Sequence, residues 1–255
     1  MKKRILSILL TVCLLMALLP TVAFAEGSVT YLDADGTLKT SPSATEVTSS
    51  DTEWTGTTTN PGWYVVNTNV TIGTEDNPQR VTVSGDVRLI LADGCTLTVN
   101  GCIQVQDDDD DITNGSANAL TIYAQSTDES TMGELIAKGA ERDFNAAIGG
   151  GNGDTGGSGG SGGKITINGG IVTATSNAGA GIGGGYGDGS GGSGGTITIN
   201  GGNITASSQF GAGIGGGEGT SAGGSGGEIT INGGSVIATG VNGAGIGGGQ
   251  GDGGS

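Results

Sequence analysis

From Trp63 onward, apolar and polar residues alternate in short runs: Trp63–Val66, Val70–Ile72, Val81–Val83, Val87–Leu91, Thr96–Val99, Ile103–Val105 and Leu120–Tyr123. Asn, Asp and Gly bound most of them, which predicts brief strands separated by turns. No segment beyond the first 25 residues carries a helical period. After Ala146 the alternation becomes periodic. Ile-Thr-Ile-Asn-Gly-Gly begins at Ile165, Ile197 and Ile229, and Gly-Ile-Gly-Gly-Gly recurs around Ile182, Ile214 and Ile246, each at intervals of 32. Residues 164–195 and 196–227 agree at 22 of 32 positions. An earlier copy at Ile148 sits 34 residues before Ile182. That places an insertion of two in the Gly/Ser segment 152–163, where extra loop length costs little.

Self-similarity at a fixed period predicts stacked coils. One repeat offers about four buried Ile/Val side chains, worth roughly 6–12 kcal/mol. Ordering 32 residues costs roughly 40–60 kcal/mol, so a repeat must stack on its neighbours. The fold class expected is all-β, a right-handed parallel β-helix of 32-residue coils with three short strands each. Ile165, Ile197 and Ile229 would share one buried column, and Asn168, Asn200 and Asn232 an amide ladder. Glycines 169, 201 and 233 would supply the positive φ of the turn. Antiparallel hairpins closed by Asn-Gly are the competing arrangement, disfavoured by the small residues and three-strand rhythm. The Gly/Ser loops 152–163, 186–195 and 218–227 have a composition that invites mobility. Mutual stacking of these loops is the open alternative.

Residues 1–25 change the cellular picture. Lys2-Lys3-Arg4, an apolar run from Ile5 to Leu19, and Ala23-Phe24-Ala25 fit a cleaved secretory signal peptide. The expected division is signal peptide 1–25, Thr/Ser/Asp-rich segment 26–61, irregular β-helix coils 62–145 and glycine-rich repeats 146–255. Localisation is then extracellular, at or near the cell surface, with no membrane span after cleavage. The chain stops at Ser255 inside a fourth glycine loop, so the expectation is a longer protein whose cell-wall attachment lies in a missing C-terminal region.

Composition narrows the chemistry. Glycine accounts for 57 of 255 residues, and histidine is absent, which removes every mechanism that needs imidazole. The formal charge is −16, and such a chain is a poor nucleic-acid partner. Cys95 and Cys102 are the cysteines outside the signal peptide; a disulfide between them and two buried thiols both stay open. Asp107–Asp111 lacks the ligand spacing of a calcium loop, and twelve-residue counting from Asp33-Ala-Asp35-Gly36 reaches Ala44, which favours a turn. Asp154, Asp188 and Asp252 depart from the calcium nonapeptide pattern. No cofactor or metal is expected. Lys164, Thr196 and Glu228 share one repeat position with three chemistries, so that column should be exposed. Arg80, Arg88 and Arg142 read as surface charges or solitary ion-pair partners. Trp54, Trp63 and Tyr64 are the candidate ligand-binding residues, since flat rings suit sugar stacking. The alternative is that they plug the end of the β-helix.

The elements Ile-Thr-Ile-Asn-Gly-Gly, Gly-Ala-Gly-Ile-Gly-Gly-Gly and Gly-Gly-Ser-Gly-Gly, with Gly62-Trp-Tyr-Val-Val and Leu89-Ile-Leu-Ala-Asp-Gly-Cys-Thr-Leu-Thr-Val, resemble a known repeat type. It is the glycine-rich repeat region of exported Gram-positive surface proteins, described as carbohydrate-binding-domain-containing or adhesin-like. The resemblance spans about residues 60–255 and carries no defined site residues. It implies a non-enzymatic surface scaffold, with polysaccharide or host and bacterial surface glycans as partners. A carbohydrate-binding module is the first alternative. A β-helix polysaccharide lyase or hydrolase ranks lower, because no acid–base pair recurs. A regular Thr-x-Thr ice-binding face is not kept, since Thr173-Ala-Thr175 becomes Ile237-Ala-Thr239.

Overall fold

The structure, a computed structural model, describes residues 27–105, 118–139 and 144–251. Residues 1–25, expected to be a signal peptide, and Asp107–Asp111, Arg142 and Asp252 lie outside the described residues. The elements are strands throughout: β1 Thr30–Leu32, β2 Leu38–Thr40, β3 Thr45–Glu46, β4 Glu53–Thr55, β5 Gly62–Val66, β6 Val70–Ile72, β7 Gln79–Ser84, β8 Asp86–Leu91, β9 Thr96–Gln104, β10 Ala119–Ala124 and β11 Glu134–Gly139. The repeats add β12 Ile148–Gly149, β13 Lys164–Ile167, β14 Ile171–Ser176, β15 Ile182–Gly183, β16 Thr196–Ile199, β17 Asn203–Ser208, β18 Ile214–Gly215, β19 Glu228–Ile231, β20 Ser235–Gly240 and β21 Ile246–Gly247. Each repeat supplies the three strands its alternation predicts.

Every pairing is parallel except that of the β1–β2 hairpin. One face runs β3-β5-β8-β10-β13-β16-β19. The other two join in one sheet through β9, whose first half pairs with β6 and β11 and whose second half pairs with β7 and β12. The runs Thr96–Val99 and Ile103–Val105, separate in the sequence pattern, are thus parts of one strand bent at a corner. Gly101 makes the bend with φ 153°, where a Cβ would overlap the Gln79 carbonyl. The chain is a three-faced parallel β-helix.

Registers follow the repeat. Val87, Leu120, Ile165, Ile197 and Ile229 occupy one inward column. Leu97, Leu135, Val172, Ile204 and Val236 form a second, and Ile103, Ile148, Ile182, Ile214 and Ile246 a third. Ile165 and Ile197 are wholly buried, whereas Ile229 is half-buried and Ile246 is 48% exposed on the last coil. At the other end β4 pairs only with β7, and Trp54 on β4 fills the core there.

The turn after the Ile-Thr-Ile strand corrects one expectation. Positive φ falls on the second glycine, at Gly170 (95°), Gly202 (92°) and Gly234 (84°). The first glycine is needed for close approach: a Cβ on Gly201 would stand 2.8 Å from the Asn168 carbonyl oxygen of the coil before it. The amide ladder is present. Asn200 Nδ2 donates to Asn168 Oδ1 at 2.7 Å, and Asn232 Nδ2 donates to Asn200 Oδ1 at 2.8 Å.

The glycine loops stack on one another, the second of the two arrangements their composition allows. A continuous zigzag of backbone bonds links them. The Gly160 N–H donates to Gly151, Gly185 to Gly160, Gly192 to Gly185, Gly217 to Gly192, Gly224 to Gly217 and Gly249 to Gly224, at 2.8–3.0 Å. A Cβ on Gly185 or Gly217 would overlap a carbonyl oxygen of the coil before it. The two-residue insertion lies between Gly151 and Gly160, so the glycine columns keep their alignment on either side.

Candidate functional site

Residues 26–61, with little apolar pattern, hold the elements that create a site. Strands β1 and β2 form a hairpin laid against the outer surface of the first face. The period-2 rule separates Trp63 from Tyr64, because neighbours on a strand point to opposite sides. Tyr64 turns inward and packs on Trp54, with ring centroids 5.7 Å apart; its hydroxyl accepts from the Thr55 N–H at 2.9 Å. Trp54 has no exposed surface. Its indole N–H finds no acceptor among the described residues, a cost consistent with a residue kept for its volume. Trp54 and Tyr64 therefore form the end plug.

Trp63 faces outward into a second apolar cluster with Tyr31, Val65, Ile90 and Tyr123. Tyr31 of the hairpin lies 4.9 Å from Trp63 and 4.5 Å from Tyr123, centroid to centroid. The Arg88 guanidinium sits 5.0 Å over the Trp63 ring and pairs with Asp86 at 3.3 Å. Burial of its phenol pushes Tyr123 up to about 12, against the partly offsetting charge of Arg88. Burial, then the nearby Asp33 carboxylate, raises Tyr31 too. With 8% of Trp63 exposed, its ring is covered and offers no open face to a sugar. The three sequence candidates are thus divided between an internal plug and a clamp for the hairpin.

The cysteines do not meet. Neither is in a disulfide, and they sit seven positions apart, with five residues of extended strand (Thr96–Asn100) between Cys95 and the bend at Gly101. At about 3.3 Å per residue that separation far exceeds the reach of a disulfide.

Asp35 and Asp188 have structural partners. Asp35 accepts from the Thr37 N–H at 2.9 Å and the Thr37 hydroxyl at 2.6 Å, which closes the hairpin tip and lowers its pKa. Asp188 Oδ2 accepts from the Gly156 N–H at 2.8 Å, tying one glycine loop to the previous one. Arg80 donates to Gln104 Oε1 at 2.8 Å. Lys164, Thr196 and Glu228 are aligned and exposed.

A groove opens where the hairpin tip overhangs the Asn-Gly corner. It has a volume of about 360 Å³ and runs along the coil axis. Its floor is the corner itself, with Asn168, Asn200, Gly202 and Asn203; Asp33 and Glu129 stand on its walls. Gln125 Nε2 donates to the Thr30 carbonyl at 3.1 Å, which with the Tyr31 contacts holds the overhanging wall. The sequence reading found the ladder and missed the groove, because its wall comes from a hairpin more than 120 residues away in the chain. The outward parity of Tyr31, Trp63 and Tyr123 was the available signal.

Comparisons with known proteins bear on the coils. No curated protein and no solved structure matches the chain. The family model described as Beta helix repeat matches residues 165–186, 197–218 and 229–250. Each match spans the three strands of one coil and stops within its glycine loop, so the glycine-rich coils are β-helix repeats by sequence family as well as by register.

Proposed function

We propose that this chain is an exported, non-enzymatic scaffold of the cell surface, adhesin-like in role. The observation that carries this reading is a regular stack whose outward positions vary freely in chemistry. Asp86, Ala119, Lys164, Thr196 and Glu228 share one outward register, while the columns beneath them remain apolar. A scaffold needs a conserved interior and tolerates a changing exterior; a catalytic cleft needs particular groups at that surface. Export rests on the signal-like residues 1–25. Repetition along a stiff axis suits weak polyvalent contact, since linked sites raise avidity without a strong single contact. The test is incubation of the purified chain with plant, host and bacterial polysaccharides, measuring reducing ends and unsaturated products. No turnover is expected. Sustained product formation abolished by replacing one acidic residue would overturn the reading.

A second reading, a carbohydrate-binding module, is favoured by the groove along the Asn corner. It is compatible with the first, because an adhesin-like scaffold needs a contact surface.

A further inference from the structure

Each ladder amide has two N–H donors and an oxygen with two lone pairs. Asn200 uses one N–H toward Asn168 and accepts one from Asn232. Asn200 keeps one donor and one acceptor, and Asn168, which only accepts in the ladder, keeps two donors and one acceptor; these two half-buried amides line the groove, while Asn232 is exposed beyond it. They stand one coil apart, at about 4.8 Å. Gly202 adds floor without a side chain, and Asn203 adds a further amide on the same surface. The site is therefore a short, axial set of neutral donors and acceptors, made by Asn168, Asn200 and Asn203. Consecutive rings of an extended β-1,4-linked hexose chain advance by a similar distance and present hydroxyls that both donate and accept. Charge selects further: Asp33 and Glu129 stand on the walls, and the whole chain carries −16. A polyanionic glycan would be repelled.

We propose that this groove binds an extended neutral polysaccharide, a β-1,4-linked hexose or N-acetylhexosamine chain, lying parallel to the coil axis over the Asn ladder. This inference rests on the carbohydrate-binding reading and specifies its site and ligand class. The binding groups are amides and backbone, and the aromatic side chains serve only to fix the wall.

The experiment measures retention of the purified chain on insoluble cellulose, chitin and mannan, with immobilised polygalacturonate as the acidic comparison. Retention on at least one neutral glycan and none on polygalacturonate is expected. Asn203→Ile removes the floor amide and fills its place without an aromatic face, as Ile171 does at the equivalent position one coil before; it should weaken retention by about tenfold or more, with the melting temperature unchanged. Ser235→Ile, at the exposed end of the groove, is the second blocking variant should Asn203→Ile fold poorly. Undiminished retention of a folded blocking variant would overturn the groove and leave carbohydrate binding standing. Failure to bind any of the three neutral glycans would overturn both. Stronger retention on polygalacturonate would overturn the ligand class.

Discussion

The coils between Gly62 and Gly139 and those between Ala146 and Gly251 share one three-faced stack and fill it differently. The first set relies on side chains. Leu, Val and Ile occupy most inward positions, Trp54 closes the end, and the coils differ in length. Trp63 pairs with Arg88, 25 residues on, while Leu120 pairs with Ile165, 45 residues on. The second set keeps Ile and Val in its main columns, has alanine at the inward position of Ala174, Ala206 and Ala238, and adds glycine loops packed backbone to backbone. Side-chain packing needs only matched volume, so coil length is free to vary. Backbone packing needs a glycine on every glycine, and a length change within the aligned segment would put a Cβ where a carbonyl stands. The strict interval of 32 is therefore a consequence of the loops. The one insertion, between Gly151 and Gly160, falls outside the aligned columns, as this account requires.

The contrast is most strongly tested at the plug. Trp54→Ala removes the largest buried side chain of the first set and should cost about 3–5 kcal/mol, read as a lower urea midpoint. A loss below about 1 kcal/mol, the range of a surface substitution, would show that the end is not held by volume.

Glycine substitutions sharpen the comparison next. Gly183 has φ 136° and a Cβ there would overlap the Gly215 carbonyl, whereas Gly94 has φ 73° with nothing within 4 Å. Gly183→Ala should cost roughly 2–5 kcal/mol, from backbone strain and overlap together. Gly94→Ala carries the strain alone, about 1 kcal/mol. Equal losses in thermal or chemical unfolding would remove the distinction between the two regions.

These pairs also show what was legible in the sequence. The Ile columns were readable because identical side chains recur at one interval and alternate about Thr166, Thr198 and Thr230. Within Gly169-Gly170 the sequence offers no means of telling which glycine takes positive φ, since neither has a side chain to report an environment. The loops were ambiguous for the same reason: a Gly/Ser run has the composition of a flexible linker and of a close-packed backbone. Trp63 and Tyr64 were grouped by adjacency, although period 2 along β5 sends them to opposite faces. The groove was beyond local reading, because Tyr31 reaches Tyr123 only after the hairpin folds back over the first face.

The ladder should contribute less than the plug or the close-packed Gly183. Asn200→Ala breaks two amide bonds, at 2.7 and 2.8 Å, on half-buried to exposed side chains. A loss of roughly 1–2 kcal/mol is expected, and no loss would mean that water replaces the ladder without cost.

The last test concerns the clamp beneath the hairpin and is a pH dependence, silent at neutral pH. The folded Tyr123 phenol, at about 12, stands above its ordinary value of 10. Between pH 10 and 12 the unfolded chain loses this proton while the folded chain keeps it. The contribution is thus fully present below pH 10 and lost as pH rises toward 12. Tyr123→Phe should flatten the decline of melting temperature across that window, and an unchanged slope would contradict the buried clamp.

The central claim is that the glycine loops are ordered by one another. Amide hydrogen exchange in the isotopically labelled chain tests it directly, through the N–H groups of Gly185, Gly192, Gly217 and Gly224, each of which donates to a glycine carbonyl. The account predicts slow exchange at these positions, comparable to that of Ile197 and Ile199 in the core strands. Exchange at the rate of an unstructured glycine linker, alongside a protected Ile197, would contradict it.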